Sequence, residues 1–422
     1  MQPGPSTPRR VALVTAGFDI GGGIPTIARW LRDCLRSTGR YEVDVHDLAT
    51  SRRDVFSRRL LAPSSWLRPS LRDRPRSEDS VAHWGANLVE IETMRYLPRR
   101  ELRQTLQKYD IIQVVSGGPA LAWAVTGTGV PIVLWVASIM AWERLRKIAE
   151  QTGPLGLWRR AMTRLTSHVE RSAVNRADAV LVLNDALLEF MRATGHNHVV
   201  KALPGVDTTV FSPSPLGWQR HGHLLSVCRL NDPRKGIDRM IHAYSVMVGA
   251  DVSIPPLILA GRGRLPESLL HLIKVLGLSS RVMVRPDVGR TELPELYRGA
   301  AVFLQTSYEE GLGMSVLEAM ASGVPVIATE TAGTNETIAN GVTGWLVAQD
   351  SGEDIAQVVA SRALDILRGN GAELGVQARN RSVNAFSNDV AIRRFVDTYD
   401  HLLARTHQVV DDVAGNQPTA ES

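Results

Sequence analysis

The sequence is poor in cysteine. Its 422 residues include only two, Cys34 and Cys228. They lie too far apart for a metal-binding spacing, and two residues cannot form the disulfide framework of a small secreted domain. We therefore expect two buried thiols in a chain kept in a reducing, cytoplasmic compartment. At 44% hydrophobic and 22% charged residues, the composition is that of an ordinary globular protein with enough chain for two hydrophobic cores.

Long uninterrupted hydrophobic runs are also lacking. The N-terminus is polar and leads directly into the strand-like VALVTA, so no secretory signal is expected. Residues 111–142 contain no charge, but Gly117-Gly118-Pro119, Gly127, Gly129 and Pro131 interrupt them. Buried parallel strands also read as continuous apolar runs, so a membrane span is the less favoured interpretation. We predict a strand at Ile111–Val115, a short helix at Ala120–Val125 and a second strand at Ile132–Val136.

Metal-binding patterns are scarce. No Asp-x-Asp element, the pattern that could bridge Mg²⁺ to a diphosphate, occurs in the chain. His196 and His198 form one close pair and His221 and His223 another, but two ligands alone make a weak metal site. We interpret these histidines as surface residues, and we expect neither a metal ion nor a cofactor.

Positive charge is concentrated in the first half of the chain. Residues 1–215 contain 29 Lys and Arg against 20 Asp and Glu, whereas the remainder contains 19 against 23. Much of the excess lies in residues 52–76, where arginines alternate with Leu60, Leu61, Trp66 and Leu67. This composition suits an anionic membrane surface or an acidic acceptor. A solvated loop or helical hairpin explains it equally, because prolines break any continuous amphipathic helix. No nucleic-acid-binding motif accompanies the charge, so nucleic acid is not an expected partner.

Strands and helices alternate in two successive series. The first runs from Val11 through a glycine turn at Gly21-Gly22-Gly23, a helix over Thr26–Thr38, a strand at Tyr41–Val45 and a long helix over Leu157–Ala173. The second begins at HLLSVCRL and continues with a helix after Lys235, PLILAG, RVMVRP, AVFLQTS, a helix from Ser315 and VPVIAT. Such alternation predicts α/β architecture with two doubly wound, Rossmann-like parallel sheets.

A segment rich in Pro, Gly and Ser, LPGVDTTVFSPSPLGWQRHG, separates the two series. We place the domain boundary near Ser214. The predicted organisation is an N-terminal domain over 1–214, a C-terminal domain over 215–387, a helix over 388–405 returning to the first domain, and a disordered polar tail over 406–422.

The sharpest chemical pattern is EGLGMSVLEAMASGVPVIAT. Glu310 precedes a helix that we start near Ser315, and Glu318 lies about one turn inside it. Glycines allow close backbone approach to a ligand, and free amides at a helix start favour a phosphate. Carboxylates can hydrogen-bond sugar hydroxyls, so the pattern fits a sugar diphosphate; an ordinary helix carboxylate is the alternative for Glu318. The expected ligand-binding residues are Glu318, Gly311, Leu312, Gly313, Met314, Ser315, Val316 and Leu317.

A second pattern, VCRLNDPRKGID, ends a strand at Arg229 and begins a helix near Gly236. Arg229 and Lys235 then lie at the carboxyl edge of the second sheet, where open α/β sheets bind ligands. Two cations there can neutralise the charge that develops on a diphosphate leaving group. A pair of solvated basic residues beside a turn explains this stretch alone equally well, and Arg234 is interpreted as solvated.

Together these patterns resemble family 4 of the retaining glycosyltransferases, the group 1 transferases. The resemblance extends from GGGIPTIARWL through RADAVLVLN, LPGVDTTVFSP and the two patterns above to NGVTGWLV. It implies a GT-B fold with a nucleotide-diphospho-sugar in a central cleft. By position, Arg229 and Lys235 contact the diphosphate, Glu310 the donor sugar and Glu318 the ribose. Gly22 and Gly23 face the phosphates or the acceptor. Thr331 to Thr334 either line the cleft or cap a helix.

The departures from the family lie mainly in the first half. Family members often carry histidines after the strand that corresponds to DIIQVV and again after the next strand. Here these regions contain Gln113, Val115, Ala137 and Ser138 and no histidine. The element at Pro204–Asp207 is shortened, and Pro286 replaces a common glycine. The assignment of residues to the donor diphosphate is therefore firmer than any assignment to the sugar or to the nucleobase. Trp135 and Trp142 fit core packing better than stacking on a sugar.

The predicted activity is retaining transfer of a sugar, with a hexose favoured, to an acceptor hydroxyl. No convincing nucleophile is present, so we favour front-face attack, with the departing phosphate as base and Arg229, Lys235 and Glu310 as the catalytic set. Two alternatives stand: a sugar-nucleotide epimerase, and a catalytically silent GT-B subunit. The expected acceptor is a glycan or a lipid-linked molecule. The expected location is the cytoplasm or, by peripheral association, the inner face of the membrane.

Overall fold

The computed structural model describes residues 7–19, 23–51, 53–67, 71–76, 79–142, 153–196, 198–350, 352 and 354–415. The chain folds into two compact units. Unit 1 comprises Met1–Pro204 and Ile392–Ser422, and unit 2 comprises Gly205–Ala391. The first division between units therefore falls after Pro204, at the start of the Pro-, Gly- and Ser-rich segment, and not near Ser214 as predicted.

Unit 1 contains an eight-stranded sheet. Its spatial order is β3-β4-β2-β1-β5-β6-β7-β8, and every neighbouring pair is parallel except β3 with β4. The strands are β1 (Arg9–Thr15), β2 (Tyr41–Leu48), β3 (Leu71–Arg76), β4 (Asp79–Trp84), β5 (Ile111–Ser116), β6 (Ile132–Val136), β7 (Ala179–Val182) and β8 (Val199–Lys201).

Hydrophobic clusters lie on both faces of this sheet, so its central strands are mostly apolar and buried. Leu13 and Val14, successive residues of β1, enter different hydrophobic clusters because neighbouring side chains of a strand point to opposite faces. The α-helices before the interdomain segment are α1 (Gly23–Ser37), α2 (Arg100–Leu106), α3 (Gly153–Val174) and α4 (Asp185–Ala193).

The uncharged region 111–142 folds as a strand, a 3₁₀-helix at Pro119–Val125 and another strand. No helix among the described residues is both long enough and apolar enough to span a bilayer. The neighbouring basic segment was predicted to be a loop or a helical hairpin. It instead contains a 3₁₀-helix at Pro63–Leu67 and strand β3, which pairs antiparallel with β4.

Unit 2 contains a six-stranded, fully parallel sheet with the order β11-β10-β9-β12-β13-β14. Its strands are β9 (His223–Arg229), β10 (Leu257–Arg262), β11 (Val282–Pro286), β12 (Ala300–Gln305), β13 (Val326–Thr329) and β14 (Trp345–Val347). Strands β10 and β11 lie on one side of β9, and strands β12, β13 and β14 lie on its other side. The strand order therefore reverses between β9 and β12.

Unit 2 has hydrophobic clusters on both faces of its sheet, shown by Leu224 in one and Leu225 in the other. Its helices are α5 (Ile237–Ala250), α6 (Glu267–Val275), α7 (Leu293–Arg298), α8 (Met314–Ala321), α9 (Ala332–Thr337), α10 (Ile355–Arg368) and α11 (Gly371–Phe386). Both units are thus doubly wound α/β sheets, which confirms the predicted fold class.

The last helix, α12 (Asn388–Gly415), is longer than predicted. Phe395, Tyr399 and Leu402 lie in the core of unit 1, and the Tyr399 hydroxyl donates to Gln113 Oε1 at 2.8 Å. The predicted disordered tail is wrong for residues 406–415, which continue this helix. Residues 416–422 lie outside the described residues.

Candidate functional site

The carboxyl ends of β9 and β12 meet at the point where the strand order of unit 2 reverses. The two strands pair in parallel, so the loops that follow Arg229 and Gln305 emerge side by side. Chains leave in opposite directions at such a point and open a crevice, which is where doubly wound sheets bind ligands. Both predicted motifs begin at this edge.

The loop after β9 is held by Asp232. Arg229 pairs with the Asp232 carboxylate at 3.0 Å and keeps about half of its side chain exposed, at 45%. Arg234 binds the same carboxylate through its backbone and guanidinium nitrogens, so it is not merely solvated as we expected. These bonds lower the pKa of Asp232, with the Arg234 side chain as the largest cause. Arg229 is therefore oriented by Asp232 with its charge still available.

Gly236 fixes the position of the neighbouring lysine. It adopts a left-handed conformation with φ of 58°, and a Cβ there would lie 2.1 Å from the Thr306 carbonyl oxygen. The Thr306 hydroxyl donates to the Gly236 carbonyl at 2.7 Å. Only glycine permits this close approach of the two loops, which sets Lys235 beside the end of β12.

Lys235 and Glu310 form the centre of the site. Lys235 Nζ lies 2.5 Å from Glu310 Oε2, and the Gln305 side-chain amide donates to the same oxygen at 3.3 Å. Ser315 in turn lies 3.4 Å from Gln305 Oε1. The two ionic side chains are only 13% and 18% exposed, so they are strongly positioned, but Glu310 Oε1 accepts no hydrogen bond from the described residues. A carboxylate oxygen and further ammonium hydrogens remain available to a ligand.

The loop that carries Glu310 rests directly on α9. Gly333 donates its backbone N–H to the Glu310 carbonyl at 3.0 Å, and a Cβ at position 333 would lie 2.5 Å from the Leu312 backbone. Thr331 and Thr334 form a reciprocal capping box at the start of α9. Helix capping is thus confirmed for this stretch, while Thr331 and Ala332 also line a surface pocket. The contact of Gly333 with the loop that carries Glu310 was not expected from the sequence.

Gly313 has a φ of 77° and ends the loop at the start of α8. We expected free amides at Met314, Ser315, Val316 and Leu317, but this is wrong for the last two. Val316 and Leu317 donate to the Gly313 carbonyl, and both side chains are fully buried. The amides of Met314 and Ser315 have no acceptor among the described residues, so the anion-binding capacity of this helix start is confined to them.

Glu318 lies one turn into α8 and is mostly covered. Tyr297 donates its hydroxyl to Glu318 Oε2 at 2.7 Å. Burial raises the pKa of Glu318 to about 7, although the Tyr297 hydrogen bond and the Arg290 charge lower it. The second oxygen, Oε1, accepts no hydrogen bond from the described residues. A carboxyl near half-ionisation with one open oxygen fits a ligand contact better than an ordinary helix position does.

Further cations lie at the same sheet edge and were not predicted. Arg262 ends β10 directly beside Arg229, because the two residues are register partners. Arg264 and Arg290 follow in the next loops, and all three side chains are exposed. The run GRGR at the end of β10 could have identified Arg262 and Arg264, whereas no sequence pattern points to Arg290. This edge of unit 2 therefore carries three exposed guanidinium groups in addition to Arg229 and Lys235.

The N-terminal glycine turn is only partly described. Gly22 lies outside the described residues, and Gly23 is the first residue of α1 with open space around it. Trp135 is buried and packs against Phe395 with ring centroids 4.7 Å apart, as expected for core packing. Trp142 is 38% exposed and contacts Phe190 instead, so it is not a core residue.

The described residues contain no group of three or more His, Cys, Asp or Glu side chains that could hold a metal ion. His223 is not the surface residue we expected, because its Nε2 contacts the Leu296 carbonyl at 2.9 Å and its side chain is largely covered. Both cysteines are free thiols; Cys34 is buried, and burial raises the pKa of Cys228 to about 11.

This chain is similar to a protein-family model, to curated proteins and to solved structures. Residues 220–365, which contain the site described above, match the family model for glycosyl transferases group 1. The D-inositol 3-phosphate glycosyltransferase of Mycobacterium marinum is 29% identical over 259 residues, which are 58% of this chain and 53% of the relative. The protein of the same name from Nocardiopsis dassonvillei is 33% identical over 172 residues, 36% of this chain and 39% of the relative. The chain thus spans about half the length, or less, of these curated relatives.

Solved structures agree over nearly the whole chain. Sucrose-phosphate synthase from Thermosynechococcus elongatus has a TM-score of 0.67 at 20% identity and covers 94% of this chain and 100% of its own. Anabaena Alr3699/HepE in complex with UDP has a TM-score of 0.66 at 18% identity and covers 93% and 100%. These identities show the fold alone. The chain therefore matches the group 1 glycosyl transferases over residues 220–365, and its two Rossmann-like units have the GT-B fold.

Proposed function

We propose that the protein is a retaining glycosyltransferase of family 4 that moves a sugar from a nucleotide-diphospho-sugar to an acceptor hydroxyl. The observation that carries this proposal is the Lys235–Glu310 pair at the switch point of unit 2, flanked by Arg229 and the start of α8. A cation pair with two free amides suits a diphosphate, and an adjacent open carboxylate oxygen suits sugar hydroxyls.

The diphosphate is assigned to Arg229, Lys235 and the amides of Met314 and Ser315. Negative charge develops on the departing diphosphate when the bond to the anomeric carbon breaks. Preorganised cations and amides stabilise that charge without reorganising during the reaction. Asp232 and Glu310 hold the two cations in place beforehand, which is what such preorganisation requires.

The sugar and ribose are assigned to the two carboxylates. Glu310 Oε1 would accept from hydroxyls of the transferred hexose, and Glu318 Oε1 from the ribose. Since Lys235 and Gln305 already bind Glu310 Oε2, this carboxylate is better suited to positioning than to nucleophilic attack. We therefore favour front-face transfer. The acceptor oxygen bonds to the anomeric carbon on the face that the phosphate leaves, and its proton passes to the departing phosphate oxygen.

The named relatives suggest which substrates to assay first. Several carry the name D-inositol 3-phosphate glycosyltransferase, and structures of similar fold hold UDP or UDP-glucose. UDP-glucose is accordingly the first donor, and D-inositol 3-phosphate, a glycan end and a lipid-linked glycan are the acceptors to compare. The proposal also includes a cytoplasmic location and a reaction that needs no metal ion. Full activity in excess chelator would support the absence of a metal requirement.

The test is thermal stabilisation of the purified protein by a panel of nucleotides and nucleotide sugars, since any ligand of the folded state raises its apparent stability. We expect a selective shift that disappears in Glu318→Ala and persists in Glu373→Ala, a change of an exposed carboxylate at the start of α11. No shift with any donor would favour a catalytically silent subunit, and donor conversion without acceptor would favour an epimerase.

A further inference from the structure

A short exposed hairpin projects from unit 1 between β2 and the 3₁₀-helix at Pro63–Leu67. Arg59 and Ala62 form an antiparallel bridge, so Leu60 and Leu61 occupy the tip of a tight turn. Leu61 is 91% exposed and Leu60 is 51% exposed. Two adjacent leucines at such a tip cost solubility without contributing to the core, and the fold gives no structural reason for them.

Several hydrogen bonds connect the tip to the rest of unit 1. The Arg58 N–H donates to the Ala86 carbonyl, the Arg58 carbonyl accepts from the Val89 N–H, and the Leu60 N–H donates to Glu90 Oε2 at 3.1 Å. Ser65 closes the base by accepting from the Arg59 N–H at 2.9 Å and donating to the Ala62 carbonyl. The leucines are therefore presented on a preorganised support.

An amphipathic tryptophan lies beside the tip. Trp66 is 47% exposed, and its indole N–H donates to the Arg59 carbonyl at 2.9 Å. Because that polar group is already satisfied within the protein, the exposed ring can enter an apolar or interfacial environment without losing a hydrogen bond. Aromatic rings of this kind concentrate at the headgroup level of membranes.

Positive charge surrounds these apolar groups. Arg53 is exposed, and the Arg58 guanidinium lies 5.9 Å from the Trp66 ring centroid. Two carboxylates also belong to this region: Asp54 binds His83, and Glu90 accepts from the Leu60 N–H at the hairpin itself. The hairpin thus combines an apolar tip with a cationic base, the arrangement that favours an anionic bilayer over a neutral one.

We propose that residues 53–66 form a membrane-docking hairpin, in which Leu60, Leu61 and Trp66 enter the interface of an anionic lipid bilayer and the neighbouring arginines contact lipid phosphates. The hairpin could instead bind a second copy of the chain, but the clustered arginines of the two copies would repel one another. The inference goes beyond the proposed transferase activity and does not depend on it. It brings the protein to the surface where a lipid-linked acceptor would reside.

The experiment is co-sedimentation of the full chain with vesicles of neutral phosphatidylcholine, or of phosphatidylcholine with phosphatidylglycerol. We expect binding to the anionic vesicles that weakens with added salt, and little binding to neutral ones. Leu61→Asp should reduce the partition coefficient by roughly tenfold or more, because it removes a leucine from the interface and adds a repelled charge. Its melting temperature should equal that of the wild type, since the side chain is almost fully exposed.

The matched control is Leu216→Asp, which places the same change at an 81% exposed leucine of unit 2. It should bind anionic vesicles as the wild type does. Equal binding of Leu61→Asp and Leu216→Asp, or equal binding to neutral and anionic vesicles, would overturn the proposal. So would a wild-type dimer in light scattering that Leu61→Asp converts to a monomer while vesicle binding is absent throughout.

Discussion

The carboxyl edges of the two sheets use charged residues in opposite ways. In unit 2, Arg229, Lys235 and Glu310 lie around the reversal point with part of their hydrogen-bonding capacity left open. In unit 1, the polar groups near the corresponding edge satisfy one another. The same Rossmann-like architecture therefore carries a site prepared for a ligand in one unit and an internal clamp in the other.

The clamp in unit 1 is His83 on β4, held between two carboxylates. Its Nδ1 lies 2.8 Å from Asp47 Oδ2 and its Nε2 lies 2.7 Å from Asp54 Oδ2. Asp47 also accepts from the Phe18 N–H, so the network ties the segment after β1 to the loop after β2. All three side chains are about 10% exposed. The hydrogen bonds from Asp47 and then Asp54 raise the pKa of His83 to about 9.

The largest expected effect comes from breaking this clamp with His83→Leu. The change leaves two buried carboxylates facing each other without a cation, and the expected loss in free energy of unfolding is about 3–5 kcal/mol. Chemical denaturation of the full chain at pH 7 measures this loss. Leu61→Asp, a change at an exposed residue of the same unit, is the control. A loss of less than about 1 kcal/mol in His83→Leu would show that the clamp does not stabilise the unit.

The pH dependence of stability follows from the same pKa shift. The folded state holds the His83 proton up to about pH 9, whereas the unfolded imidazole releases it near pH 6.5. The stabilisation is therefore complete below pH 6.5 and declines as pH rises toward 9. The free energy of unfolding of the wild type should fall across this window, and His83→Leu should show a flatter profile there.

In unit 2 the corresponding break is Lys235→Met, which should reduce activity strongly and should also lower stability, because Glu310 loses the cation that it binds. Loss of one preorganised cation at a departing diphosphate is expected to lower kcat on the order of 10²-fold. Arg229→Ala should lower kcat similarly, and its melting temperature should stay near normal because this side chain is about half exposed. Arg234→Met removes a neighbouring cation that binds Asp232 and should cost much less. Near wild-type turnover in Arg229→Ala and Lys235→Met would remove both residues from the mechanism.

A smaller effect is expected from Gly333→Ala, which tests how Glu310 is positioned. The added methyl group meets the Leu312 backbone at 2.5 Å, so the loop carrying Glu310 must shift. Misplacement of a substrate-positioning group should lower kcat by roughly tenfold. Gly249→Ala adds the same methyl group to α5, where nothing lies within 4 Å, and serves as the control. Equal kinetics in the two variants would contradict a positioning role for Gly333.

The sequence predicts the two units well because strand and helix periodicities differ and glycine and proline mark their ends. It also locates Arg229, Lys235, Glu310 and Glu318 at one sheet edge, since a residue that ends a parallel strand has a defined place in the sheet. The tail at 406–415 was mispredicted because a polar composition does not exclude a helix that continues from a buried segment such as Phe395 to Leu402.

Interactions between distant segments could not be predicted. Gly333 matters only because the Leu312 backbone lies against it, and Tyr297 only because its hydroxyl reaches Glu318 across the unit. The clamp around His83 joins strands β2 and β4 to the loops that contain Phe18 and Asp54, and the spacing of these four residues in sequence follows no pattern. These features depend on tertiary packing, which neither periodicity nor composition records.

The smallest expected effect concerns the ionisation of Glu318. Burial raises its pKa to about 7, so the carboxyl is mostly protonated at pH 6 and mostly ionised at pH 8. A ribose hydroxyl donates best to the ionised form, and affinity for a nucleotide sugar should therefore rise up to about tenfold between these values. A nucleotide sugar is the suitable ligand because its diphosphate, esterified at both ends, does not titrate in this range. Glu318→Gln, which cannot ionise, should bind with little pH dependence, and an unchanged slope in that variant would assign the titration to another group.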